Sequence, residues 1–186
     1  METYTKQVIN IYTDGACSGN QFDTNEGGWG VILEYGDYSK ELYGGASNTT
    51  NNRMELTALI EGLSALTKKD YDICVFSDSA YLIDCMRKRW HEKWRRNGWL
   101  TADKRPVENK DLWEKLLAFL PDYEFRFYLI KGHIDMDAGK AAMRKHYERF
   151  VRQNGDGFSF DNFLVIAKRN NRADELANLG IAETCS

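Results

Sequence analysis

The chain has 186 residues, of which 42% are hydrophobic and 28% charged, which is typical of a globular domain with one buried core. The first residues, METYTKQV, contain no apolar stretch, and the chain has only two prolines, so we expect no signal peptide, membrane-spanning helix or long disordered tail. The formal net charge of −3 excludes attraction of the whole chain to nucleic acid, so such a partner needs a local basic patch. Four cysteines without a C-x-x-C pair, at positions 17, 74, 85 and 185, predict free thiols in a cytoplasmic protein.

The first half of the chain predicts three strands followed by a helix. Apolar, β-branched runs cover 8–13, 31–35 and 40–46, and the first is expected to stop at the turn Asp14-Gly15. Short connections make these three strands an antiparallel meander. From Asn52, apolar residues recur at the spacing of a helix with one buried face.

The second half predicts strands separated by helices. Apolar strands are expected at 73–77 and 125–129, with a helix from Ser79 and another that ends at Pro121 between them. A final helix is expected to begin near Arg172. Strands that alternate with helices are parallel neighbours, so the fold class is α/β, with a mixed five-stranded sheet flanked by helices.

Four carboxylates are expected to meet at one edge of this sheet. Asp14 and Asp78 each follow a strand, Glu55 lies in the first turn of a helix, and Asp174 lies at the expected start of the last helix. Each acid alone has a simpler explanation as a turn or helix-start residue. Together they would carry a charge of −4, which two divalent cations with hard oxygen ligands, Mg²⁺ or Mn²⁺, would neutralise. A pair of such ions suits phosphoryl displacement.

Several separate blocks of the sequence, in the same order, resemble type 1 ribonuclease H. These blocks are YTDGACSGN (12–20), TTNNRMEL (49–56), SDSAYL (77–82), TADKRPVENKDLW (101–113), KGH (131–133) and ADELAN (173–178). The resemblance implies a ribonuclease H-like fold. It also implies an endonuclease that cuts the RNA strand of an RNA–DNA hybrid by two-metal-ion catalysis, leaving 5′-phosphate and 3′-hydroxyl ends.

The resemblance also assigns roles to individual residues. The metal-binding positions of the family fall on the same four carboxylates, and His133 matches a histidine that assists proton transfer or product release. Asn20 and Asn51 match positions that contact the hybrid across its minor groove, and Thr50 matches a position that holds a DNA-strand phosphate. From the residues alone, a capping or turn role for these three is equally plausible.

Residues 87–105 contain eight Lys or Arg and two acidic residues, a net charge of +6. Trp90 and Trp94 interleave with the cations, which include Arg95 and Arg96. The segment resembles the basic protrusion of bacterial family members, which implies contact with substrate phosphates and sugars. One or two of the tryptophans can instead anchor the segment to the core.

The chain departs from the family pattern at Ala80, where an amide side chain is usual, at Glu108, where lysine is usual, and in an insertion at about 134–172. An amphipathic helix around 141–151 and a second short helix at 162–169 are expected in the insertion. Its aromatic content favours a packing role over that of a lid on the substrate. We expect residues 1–186 to form one domain that includes the protrusion and the insertion.

Three other functions fit parts of the sequence. A DNA nuclease could use the same metal centre, a binding module could hold hybrids without cutting them, and a nucleotide-binding enzyme could use the G-G-W-G segment. The TTNN segment, the four acids and the lack of an acidic ribose partner argue against these in turn. We therefore expect a monomeric enzyme that acts on RNA–DNA hybrids, away from membranes.

Overall fold

The computed structural model describes residues 7–18, 25–69 and 71–184. The predicted substrate residue Asn20 lies outside these ranges. Five strands form one sheet in the order β3-β2-β1-β4-β5. They are β1 (Gln7–Ser18), β2 (Glu26–Tyr35), β3 (Tyr38–Ser47), β4 (Tyr71–Ser77) and β5 (Glu124–Leu129). The first three are antiparallel, and β1, β4 and β5 are parallel, which confirms the predicted fold class.

The first strand does not stop at Asp14-Gly15, as the sequence analysis expected. It continues to Ser18 and pairs with β2 as far as Glu26. Gly15 allows the backbone of Met54 and Glu55 to lie close to β1, because a side chain at this position would collide with that backbone. The Asp-Gly pair therefore lies inside a strand and brings a helix against it.

Four helices cover one face of the sheet. They are α1 (Asn51–Ser64), α2 (Ala80–Arg87), α3 (Trp90–Arg96) and α4 (Lys110–Leu117). Because side chains alternate along a strand, Ile9 and Ile11 of β1 point to this face and pack with Leu59 and Trp113. This larger core fixes α1 against the centre of the sheet.

Two helices, α5 (Lys140–Asn154) and α6 (Phe160–Thr184), cover the other face. The prediction of a short helix at 162–169 and a new helix near Arg172 was wrong, because α6 is continuous over 25 residues. The polar run KRNNR (168–172) lies inside this helix, where Asn170 is buried and the Asn171 side chain bonds to the backbone of Ile134. Asp174 consequently lies in the middle of a helix.

Glycines on β2 let α6 lie directly on the sheet. A side chain at Gly28 would collide with the backbone of Ala177 and Ile181, and one at Gly30 with the backbone of Ala173. The close contact fixes the height and rotation of α6 above the sheet, and with them the position of Asp174.

The insertion packs as part of the second core. Met143 and Phe150 of α5 are buried with Phe163 of α6, and the Tyr147 hydroxyl donates to the Phe158 carbonyl over 2.7 Å. Phe158 also packs on Tyr128, Phe76 and Phe150, with ring centroids 4.9–6.1 Å apart. Within the described residues, no helix combines the length and apolar character needed to cross a membrane.

Candidate active site

Parallel pairing brings two aspartates together at the carboxyl end of β4. Thr13 of β1 lies opposite Ser77 of β4, so the next residues, Asp14 and Asp78, are adjacent at the same edge of the sheet. The Asp14 carboxylate accepts a 2.7 Å hydrogen bond from the Gly15 amide and is buried. The predicted juxtaposition of these two acids is present.

Glu55 reaches the same place from α1. The close approach of the helix to Gly15 carries its carboxylate to the sheet edge, where the Ser77 hydroxyl and the Gly15 amide hydrogen-bond to it. The side chain is buried, and its Oε2 atom has no hydrogen-bond partner in the described structure. An unpaired buried carboxylate oxygen is costly, and a bound cation would satisfy it.

The three carboxylates form one cluster. Asp14, Glu55 and Asp78 each offer a ligand oxygen, and these oxygens all lie within 4.8 Å of one another. Burial, then repulsion from Asp78 and Asp174, raises the pKa of Asp14 to about 8. Burial and the charges of Asp14 and Asp78 raise the pKa of Glu55 well above its usual range, and burial raises that of Asp78.

Asp174 and His133 border this cluster. The Asp14 and Asp174 carboxyl groups lie within hydrogen-bonding distance of each other, and Asp174 Oδ1 also accepts a 3.2 Å bond from the Asn178 amide. His133 is 76% exposed in its side chain, and its Nδ1 lies 3.4 Å from Asp174 Oδ2. His133 has a left-handed backbone (φ 51°), and the next residue, Ile134, is held to α6 by Asn171, so the loop is anchored beside the exposed histidine.

The donor set suits a hard divalent cation. All three clustered ligands are carboxylates, and one of them has an unpartnered buried oxygen. Burial and mutual repulsion raise the pKa values of these acids, so a bound cation would stabilise their ionised forms. Mg²⁺ and Mn²⁺ prefer such oxygen ligands. The site can therefore hold a metal at the carboxyl end of β4.

Comparison with known proteins identifies the family. The family model for RNase H matches residues 6–145. The chain belongs to the ribonuclease H family. The ribonuclease H of Thermoanaerobacter sp. (strain X514) is 45% identical over 150 residues, covering 79% of this chain and 94% of that protein. The ribonuclease H of Caldanaerobacter subterraneus subsp. tengcongensis is 49% identical over 151 residues, covering 80% and 96%.

Solved structures of type 1 ribonuclease H share this fold. The LC9 enzyme, described as a type 1 RNase H with the type 2 active-site motif, has a TM-score of 0.59 at 23% identity, over 89% of this chain and 85% of that one. The LC11 enzyme, solved with an RNA/DNA hybrid, has a TM-score of 0.58 at 22% identity, over 96% and 99%. Family membership makes this chain a hydrolytic endoribonuclease, as the sequence motifs predict.

Two predicted substrate residues of this ribonuclease H lie at the start of α1. Thr50 is the helix N-cap, and its hydroxyl accepts a hydrogen bond from the Arg53 amide at 3.3 Å. Asn51 is the first residue of the helix, and both side chains are exposed. The capping role of Thr50 is thus present, and its exposure leaves it accessible to a ligand as well.

The basic protrusion divides into anchoring and exposed residues. Trp94 packs edge-to-face on Trp113 at 5.6 Å and near Trp99 at 6.5 Å, so it anchors the segment to the core. Trp90 is half-buried beneath Lys88, whose ammonium lies 5.2 Å from the ring centre.

The cations of this ribonuclease H protrusion do not all face outward. Arg95 and Arg96 are exposed on α3, as expected of residues that contact phosphates. Arg87, counted with the protrusion from sequence, instead bonds to the carbonyls of Phe127 and Gln153, so its cation supports the insertion.

Other residues beside the carboxylates were missed by the sequence reasoning. The sequence analysis assigned Ser77 only to a strand, and its hydrogen bond to Glu55 was not predicted. The available signal is that a hydroxyl residue precedes each of the two strand-end aspartates. Gly132 lies so close to Asp78 that a side chain would collide with its Oδ2 atom. A pocket next to Asp78 also takes residues from α5, Arg149 and Gln153, which no short motif marks.

Proposed function

We propose that this ribonuclease H hydrolyses the RNA strand of RNA–DNA hybrids by two-metal-ion catalysis and leaves 5′-phosphate and 3′-hydroxyl ends. The observation that carries the proposal is the buried cluster of Asp14, Glu55 and Asp78, with ligand oxygens within 4.8 Å of one another, in a member of this family. The RNA/DNA hybrid bound to the LC11 enzyme supports the substrate class.

The carboxylates would hold two divalent ions, Mg²⁺ or alternatively Mn²⁺. Asp14, Glu55 and Asp78 supply the clustered oxygens, and Asp174, which adjoins Asp14, would complete the set. When bound, such ions lower the pKa of the attacking water and neutralise charge on the leaving oxygen. The protein's part is to fix these oxygens: Gly15 and Ser77 hydrogen-bond to them, and Gly132 leaves space for Asp78.

His133 would exchange protons with solvent at the edge of the site. Its ring is mostly exposed, and its Nδ1 lies 3.4 Å from Asp174 Oδ2. An imidazole in that position can donate a proton to a departing oxygen and then exchange it with water.

The hybrid would be held at two surfaces. Thr50 and Asn51 would contact it beside α1, Asn20 is a further proposed contact, and reading of the 2′-hydroxyl would separate RNA from DNA. The exposed Arg95 and Arg96 would contact phosphates of the duplex, and the half-buried Trp90 and Trp94 would support that contact from beneath.

We further propose that residues 1–186 act as one domain and as a monomer, since the residues of the site come from a single chain. The thiols of Cys17, Cys74 and Cys85 are free, which suits a cytoplasmic enzyme.

Cleavage of end-labelled duplexes tests the proposal. The protein should cut the RNA strand of an RNA–DNA hybrid, and neither a DNA duplex nor an RNA duplex, and only with Mg²⁺ or Mn²⁺. Products should accept ligation through their 5′-phosphates without prior treatment by a kinase. Asp14→Asn should lose at least about a hundredfold in rate. Cutting that persists in EDTA, or products with 3′-phosphates, would contradict the proposed chemistry.

A further inference from the structure

A pocket of about 340 Å³ lies immediately beside the carboxylate cluster. Its lining includes Asp78 and His133 of the site, Lys131 of the loop after β5, and Arg149 and Gln153 of the α5 helix of the insertion. A substrate strand seated on the carboxylates would therefore have the insertion helix beside it.

The insertion side of this pocket is positively charged. The α5 helix carries five Lys or Arg and a single acid, Glu148. Arg149 and Gln153 are four positions apart, so they project from the same face of the helix. Lys131 and Arg149 both line the pocket. Partial burial and the charges of these two cations lower the pKa of the neighbouring His146. Asp78 is the only acid among the described residues that line the pocket.

The helix is attached rigidly enough to position these side chains. The Asn154 amide accepts from the Leu129 N–H at 2.9 Å and donates to the Leu129 carbonyl at 2.8 Å. Arg87 bonds to the carbonyls of Phe127 and Gln153, at 2.8 and 3.2 Å. The adjacent residue, Phe150, is buried and packs α5 into the second core. The C-terminal half of α5 is thus fastened to the β5 strand that leads into the active-site loop.

We infer that Arg149, with Lys131 and Gln153, forms a phosphate subsite for the strand that is cut, one or two nucleotides from the scissile bond. Exposed cations beside an acidic centre offset the repulsion that a polyanion meets there. Arginine and a neighbouring amide can both donate to phosphate oxygens. The inference rests on the proposed function and gives the insertion a part in substrate binding in addition to its packing.

Charge-removing variants test the subsite. In Arg149→Gln and Lys131→Gln, KM for a hybrid should rise about fivefold, with kcat at saturating substrate unchanged. Each should also reduce the slope of log affinity against log salt by about one. Lys140→Gln is the matched control, because it removes the same charge from α5 half a turn around the helix and outside the pocket, so its KM and slope should equal those of the wild type.

Hybrids with one uncharged linkage identify the phosphate that Arg149 contacts. Hybrids with a single methylphosphonate at successive positions of the cut strand should bind the wild type less well at one position near the scissile bond. At that position the loss should be smaller in Arg149→Gln than in the wild type, since the two changes remove a shared interaction. Additive effects at every position would overturn the inference, as would an unchanged KM and salt slope in Arg149→Gln and Lys131→Gln. If the wild type fails to cut hybrids at all, the proposed function fails instead, so the two failures are distinguishable.

Discussion

Replacing Asp14 with asparagine should stabilise the metal-free protein at neutral pH while it removes activity. In the folded chain, burial and the neighbouring acids raise the pKa of Asp14 to about 8, against an ordinary value of 3.8. An unfolded chain therefore loses this proton near pH 4, whereas the folded chain keeps it until about pH 8. Asparagine preserves the shape and the oxygen that accepts from Gly15, and it carries no charge.

The size of the effect follows from proton linkage. Between pH 4 and 8 the folded wild type binds one more proton than the unfolded chain, so its free energy of unfolding falls by about 1.4 kcal/mol per pH unit because of this group. The variant lacks this contribution. The difference between variant and wild type should thus be small at pH 4 and approach about 5 kcal/mol in favour of the variant at pH 8.

Urea denaturation in EDTA, followed by circular dichroism at pH 4 to 8, measures this difference. Mg²⁺ should then raise the melting temperature of the wild type much more than that of Asp14→Asn, because the ion binds the ionised cluster of the folded state. Asp156→Asn, in an exposed loop, should respond to Mg²⁺ as the wild type does. A difference between Asp14→Asn and wild type that stays constant with pH would refute the reasoning.

Three further substitutions test the metal site, the packing of Trp94 and the exposed arginines of the protrusion separately. Gly132→Ala should displace the Asp78 carboxylate and raise the Mg²⁺ concentration needed for half-maximal cleavage about tenfold; an unchanged Mg²⁺ titration would contradict this. Trp94→Ala should lower the free energy of unfolding by about 2 kcal/mol in urea titrations, since its half-buried ring packs against the buried Trp113, and unchanged stability would exclude an anchoring role. Replacing Arg95 and Arg96 by glutamine should leave kcat and stability intact, raise KM and reduce the salt slope of binding by about two, which an unaltered slope would disprove.

The sequence predicted the sheet and the proximity of Asp14, Glu55 and Asp78 because these features depend on local patterns. Alternating apolar runs defined the strands, and the order of strands and helices required a mixed sheet, which placed Asp14 and Asp78 at one edge. Helical spacing from Asn52 put Glu55 beside the buried face of α1. These features follow from residue periodicity and chain order.

Features that depend on distant packing were not predicted. A helix start was expected near Arg172, but the residues before it belong to α6, where Asn170 is buried and Asn171 bonds to the backbone of Ile134. The role of Arg87 in holding the insertion depends on the Phe127 carbonyl, 40 positions away. No local sequence pattern reports such contacts.

The side-chain amide of Asn154 covers part of an exposed strand edge of the sheet. The β5 strand is the outermost of its side of the sheet, and an open strand edge can pair with another chain and start aggregation. Asn154 hydrogen-bonds to the N–H and the carbonyl of Leu129, and Arg87 hydrogen-bonds to the carbonyl of Phe127. These backbone groups at the C-terminal end of β5 are therefore not open to another strand. The helix that borders the catalytic cluster thereby also shields the sheet from self-association.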